Sequence, residues 1–126
     1  MMNKLNIGIA SYEEMKQWTL DVASGRTQPA PDAPKLWFPS LKAAANLFTE
    51  ENRQLLKIIN EQHPNSITEL EKLTCRKAAN LSRTLKKFEQ YGLVRLVEGK
   101  TAQTRGKKPV RPEVLVDTVN VSFAVI

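Results

Sequence analysis

Along residues 50–90 the apolar positions recur every three or four residues, the period of helices packed on one side. Leu55, Leu56, Ile58 and Ile59 define the buried face of one helix, which Thr49 can cap and whose dipole Glu50 and Glu51 suit. Pro64 and Asn65 stop it. Ser66 and Glu69 then stand in capping-box spacing, opening a short helix lined by Ile67, Leu70 and Leu73. After a turn at 74–76, Leu81, Leu85 and Phe88 fall at i, i+4 and i+7, a core seam for a further helix. Gly92 ends it, because glycine alone adopts a left-handed C-terminal residue without steric cost.

Past Gly92 the period shortens. Residues 93–99, rich in Val and Leu, read as a strand. Residues 100–108 are a polar, basic loop, and 109–117 resume extended character with prolines that favour an edge or a bulge. Residues 119–125 alternate apolar and polar, the period of a half-buried strand.

Upstream, Ser11 and Glu14 form another capping-box pair, Met15, Trp18 and Val22 recur at helical spacing, and Gly25 closes the run. Residues 26–40 contain four prolines, which suit a linker or a wrapped arm, with Trp37 and Phe38 as its anchors. Ser40 opens a short helical segment. The organisation predicted is an N-terminal helix and Pro-rich arm over residues 1–40, for dimerisation or partner contact, and a second domain over 41–126.

Composition sharpens this picture. The chain has 126 residues, 41% of them hydrophobic and 6% aromatic, enough for one mostly aliphatic core. No apolar run spans a membrane, and the first fifteen residues lack the apolar stretch of a secretory signal. Cys75 is the single cysteine, so no internal disulfide forms, and a cytoplasmic location is expected.

Charge is unevenly spread. Residues 75–111 hold eleven Lys or Arg against two Glu, a net of +9, within a chain of net +6. A positive field confined to about a third of the chain is the footprint of a surface for a polyanion. On the helix after residue 75, Arg76, Asn80, Arg83 and Lys87 fall within about 60° of one another, away from the leucine seam. Asn80 can pair two-point with adenine and Arg76 or Arg83 with guanine, while Ser82 and Thr84 are short donors suited to phosphate. Ser66, at a helix N-terminus, can present backbone amides to a phosphate. For each of these residues the alternative is an ordinary solvated polar side chain. Cys75 reads as a small packing residue or, beside Arg76 and Lys77, as a redox thiol. His63 has no cysteine partner, so no metal site is expected. No Gly-rich phosphate loop, carboxylate pair or nucleophile–His–acid set points to catalysis, and neither an enzyme nor a cofactor is expected.

The order helix, helix, tight turn, basic helix, strand, basic loop, strand is that of a helix-turn-helix followed by a wing. The stretch "SITELEKLTCRKAANLSRTLKKFEQYGLVRL" resembles the helix-turn-helix core of MarR-like winged-helix proteins. It looks most like antitoxin-type transcriptional regulators that share the "NLSRTLK…YGLVRL" pattern. The resemblance covers about residues 40–126 and is strongest over 66–96. It implies a winged helix-turn-helix, mainly α with a small β wing, that binds double-stranded DNA as a homodimer. Arg76, Lys77, Asn80, Ser82, Arg83 and Thr84 match recognition-helix positions that face DNA in such proteins. Lys100, Arg105, Lys107 and Lys108 match the wing by location alone. Cys75 stands where such sequences more often have glycine.

The function expected is a sequence-specific regulator, a homodimeric autorepressor with the 76–90 helix in the major groove and the 100–108 wing on the backbone or in the minor groove. The alternative is an antitoxin or protein-binding module that neutralises a cognate toxin through its N-terminal arm or C-terminal strand. A binder of double-stranded RNA is a third reading, which the narrow major groove of that duplex opposes.

Overall fold

The computed structural model describes residues 3–98 and 109–126. Where the sequence suggests a mainly α chain, the described residues form a mixed α/β protein with five helices and five strands. These are β1 (Asn3–Ile9), α1 (Tyr12–Ala23), β2 (Leu36–Phe38), α2 (Leu41–Leu47), α3 (Glu50–Gln62), α4 (Ile67–Thr74), α5 (Ala78–Gln90), β3 (Val94–Glu98), β4 (Val110–Val114) and β5 (Val116–Phe123). They group into two compact units, residues 1–48 with 117–126, and residues 49–116.

The first unit is built on a three-stranded sheet of order β2-β1-β5. β1 and β2 run parallel, with Ile7 opposite Leu36 and Ile9 opposite Phe38. Parallel strands need a long crossover, and α1 lies within it. The helix starts on the predicted box: the Ser11 side chain accepts from the Glu14 amide, and Glu14 reaches back to the Ser11 amide at 3.0 Å. Those bonds, the backbone one first, hold the Glu14 carboxyl below its ordinary range. No residue of α1 is fully buried. Its Trp18 packs against Trp37 of β2, with ring centroids 5.5 Å apart. Ile7, Phe38, Ala44 and Leu47 supply this unit's buried core.

This arrangement corrects the reading of residues 1–40 as an appendage of one helix and an arm. The Pro-rich stretch contains β2, and β1 is the central strand of the sheet. The C-terminal strand, placed by sequence with residues 41–126, lies beside β1. The side-chain amide of Asn120 donates to Asn6 at 3.0 Å. Alternation along a strand shows which side is apolar but not which strand it pairs with.

The second unit stacks α3, α4 and α5 with the antiparallel pair β3–β4. Leu55, Ile59, Leu70, Leu81, Leu85, Phe88, Leu93 and Val94 are buried in it, each at most 1% exposed. The caps at Thr49 and Ser66 form as predicted, each side chain accepting the amide three residues on. Glu69 departs from a full box: its carboxylate accepts from the Asn65 amide instead of that of Ser66. Leu73 departs too. It is 40% exposed, because only a narrow stripe of α4 centred on Leu70 is packed.

α5 ends in a Schellman motif. The Leu93 amide bonds Phe88 O at 2.8 Å, the Gly92 amide bonds Glu89 O at 3.1 Å, and Gly92 has φ +79°. Phe88 and Leu93, the apolar pair that accompanies such a stop, are both fully buried. In the β3–β4 pair Leu96 faces Pro112. A two-stranded sheet has only edges, so the missing donor of Pro112 is tolerated there.

Candidate nucleic-acid interface

α4 ends at Thr74 and α5 begins at Ala78, leaving a three-residue turn. Cys75 makes it possible by entering the left-handed region, at φ 60° and ψ 22°, where its amide still bonds Glu71 O. The thiol is free and exposed, so Cys75 is not a packing residue. Thr74 ties the turn together: its hydroxyl donates to Leu70 O and accepts from the Arg76 amide. Lys77, the N-cap of α5, gives no side-chain cap. Glu71 takes over that role from α4, its carboxylate accepting from the Ala78 amide at 3.2 Å. A negative group at the positive end of α5 suits the helix dipole.

With Leu81, Leu85 and Phe88 buried, the other side of α5 is open. Asn80, Arg83 and Lys87 are exposed there, within about 60° of one another. Lys77 is exposed at the mouth of the helix. Among the described residues, Lys77, Arg83, Lys86 and Lys87 form no ion pair with an acid. Arg95 and Arg111 do, both to Glu113 at 3.1 and 3.5 Å. Glu113 lies just beyond the basic segment, so the sequence tally of that segment omits it.

Arg76 behaves differently from a free donor. It lies in the turn, ahead of α5, and its half-buried side chain folds back over the helix. Nε donates to Asn80 Oδ1 at 2.9 Å, and Nη2 donates to the same oxygen. Nη2 also donates to Thr84 Oγ1 at 3.0 Å, and Nη1 reaches Asn52 Oδ1 of α3 at 3.4 Å. Thr84 is therefore engaged within the protein. Asn52 and Glu71 are members of this site that the sequence did not single out. Their only signal was polarity on elements read for their apolar faces.

Two further expectations fall elsewhere. Ser82 is half-buried and about 160° around α5 from Asn80, so the helix does not bring it to the exposed stripe. Ser66 caps α4, where its hydroxyl serves the Glu69 amide. Lys100, Arg105, Lys107 and Lys108 lie outside the described residues. Among the described residues no group of three His, Cys, Asp or Glu could hold a metal ion, and no helix is long and apolar enough to cross a membrane.

What the arrangement offers chemically is a rigid helix with one packed side and, opposite it, cations and an amide free to donate. Such a surface suits a row of acceptors with negative charge. Comparison with curated proteins and with solved structures gives no significant match. A family model described as HVO_A0114 does match, over residues 47–121, more than half of the chain and all of the span from α3 to β4, and the chain belongs to that family.

Proposed function

We propose that the protein is a sequence-specific, double-stranded DNA-binding transcriptional regulator acting as a homodimeric repressor. In this reading α4, the turn at 75–77 and α5 are a helix-turn-helix, and β3 and β4 are the strands of a wing. α5 enters the major groove and the basic 100–108 segment holds the backbone or the minor groove. The observation that carries the reading is the two-sided character of α5. Its apolar seam is fully used in packing, so the exposed Arg83 and Lys87, which form no ion pair among the described residues, have no structural duty toward the core, and Asn80 beside them is tied to Arg76 by its oxygen alone. A two-fold dimer would match a palindromic operator with half-sites about 10 bp apart or a multiple of that.

The test is the salt dependence of binding to duplex DNA. Each neutralised phosphate contributes a slope of about −0.9 to log affinity against log salt, so the dimer should fall more steeply than about −5. Affinity that stays flat from low to physiological salt rejects the reading. An equal or greater affinity for double-stranded RNA rejects it as well, since α5 cannot enter that major groove.

A second reading is an antitoxin that neutralises a cognate toxin by accepting one of its strands. The observation that favours it is β5, an edge strand of its sheet with Val121 and Phe123 about half exposed. Co-purification of a toxin encoded beside this gene, lost when β5 is substituted, is the expected result.

A further inference from the structure

We propose that Arg76 is a positioning residue that turns Asn80 into a donor-only reader, so that the base facing Asn80 is guanine or thymine and not adenine. This deepens, and rests on, the DNA-binding reading above. An asparagine that reads adenine uses both ends of its carboxamide: Oδ1 accepts from the N6 amine while Nδ2 donates to N7. Here that oxygen is already taken. It accepts from Arg76 Nε at 2.9 Å and from Nη2 of the same guanidinium. A carbonyl oxygen has two acceptor sites, and both are filled.

The guanidinium is not free to release it. Nη2 is also bonded to Thr84 and Nη1 to Asn52, so the group bridges α3 and α5. Bonds from a charged donor are among the stronger ones, and breaking them would leave a half-buried cation with fewer acceptors. Arg76 itself, with most of its N–H groups spent inside the protein, is not the two-point guanine reader that its charge suggests. What Asn80 presents outward is its Nδ2 amine, exposed and without a partner among the described residues. In the major groove the acceptors for it are N7 and O6 of guanine and O4 of thymine. Against adenine the amine finds N7 alone and meets the N6 amine donor to donor. Against cytosine it meets only a donor.

The experiment is selection from randomised duplexes by the full chain, compared with Asn80→Ala and Arg76→Met. Asn80→Ala identifies the base pair that Asn80 reads, as the position whose preference disappears. The wild type is expected to select guanine or thymine there. Arg76→Met keeps the length of the side chain but frees Oδ1, and should move that one position toward adenine by about tenfold, with neighbouring positions unchanged. A purely structural role for Arg76 would weaken all positions together. Selection of adenine by the wild type at that position overturns the inference while leaving DNA binding in place, and so does an unchanged preference in Arg76→Met. Failure of the wild type to bind any duplex overturns both. Should Arg76→Met not fold, the wild-type preference read against Asn80→Ala still decides.

Discussion

Cys75 occupies a backbone conformation that costs an L-residue about 1–2 kcal/mol and glycine nothing in sterics. Its φ of 60° is imposed by the turn, since only three residues separate the end of α4 from the start of α5. Glycine would relieve that strain but add about 0.5–1 kcal/mol of backbone entropy to the unfolded chain. Cys75→Gly is therefore expected to raise stability slightly, by about 0.5–1 kcal/mol. Cys75→Val, with a branched Cβ, should lower it by more than about 1 kcal/mol. Urea unfolding of the three proteins checks the order, and a glycine variant less stable than the wild type would refute the strain account. The sequence displayed this site partly. The turn at 74–76 was legible as the gap between two apolar periods. The spacing of Arg76 and Asn80, one helical turn apart, was equally compatible with two side chains aimed outward and with a pair bonded to each other. Asn52 decides between them by holding Arg76 from 24 residues away in sequence, and a periodicity argument does not reach that far.

At the scale of elements, legibility followed locality. α5 could be read because its seam, its stop glycine and its buried Leu93 all lie within sixteen consecutive residues and agree with one another. α3 and α4 were legible for the same reason, through caps three residues from their partners. β1 and β2 were not, because β2 has three residues and exists only by pairing with a strand 29 positions earlier. Gly8 is the residue on which that pairing can be tested. It lies opposite Trp37, and a Cβ there would fall 2.5 and 2.7 Å from the indole carbons Cζ3 and Cε3 and 2.9 Å from Pro34 Cγ. The indole cannot shift freely, since it packs against Trp18. Gly8→Ala should destabilise the first unit by about 1–3 kcal/mol through overpacking. The chain has two tryptophans, Trp18 and Trp37, so tryptophan emission, excited beyond the tyrosine band, reports on this contact. A spectrum and melting profile identical to the wild type would show that the close approach over β1 is not maintained in solution.

For the whole molecule charge and assembly are linked, and one variant addresses both. Glu113 draws Arg95 and Arg111 into ion pairs, which leaves Arg76, Lys77, Arg83, Lys86 and Lys87 as the described cations of the basic segment without an acidic partner, Arg76 being held by neutral acceptors instead. In the DNA-binding reading proposed above, these cations and those of the 100–108 segment would supply the phosphate contacts of one protomer, and two copies on one operator would double the salt slope. β5 is the expected seam between them. It is an edge strand, and Asp117 is the only charged residue from 116 to 126. Val121 is 44% and Phe123 52% exposed on it. Edges that must stay single are guarded by lysine, proline or a bulge, and an eight-residue edge without a basic residue or a proline favours pairing with another strand. An antiparallel pair of β5 strands about a two-fold axis would place the same surface on both sides, as an isologous dimer requires. Val121→Lys with Phe123→Lys adds a cation on each side of Ser122 and, if the proposed dimer forms through β5, should leave the chain monomeric in sedimentation equilibrium where the wild type is dimeric. Tryptophan fluorescence should not change, since neither position belongs to the Trp18–Trp37 contact. On duplex DNA the monomer should retain about half of the dimer's salt slope, because each protomer keeps its own phosphate contacts. A double variant that stays dimeric places the two-fold axis on another surface. A monomeric variant whose salt slope is undiminished would show that a single protomer carries the whole phosphate footprint.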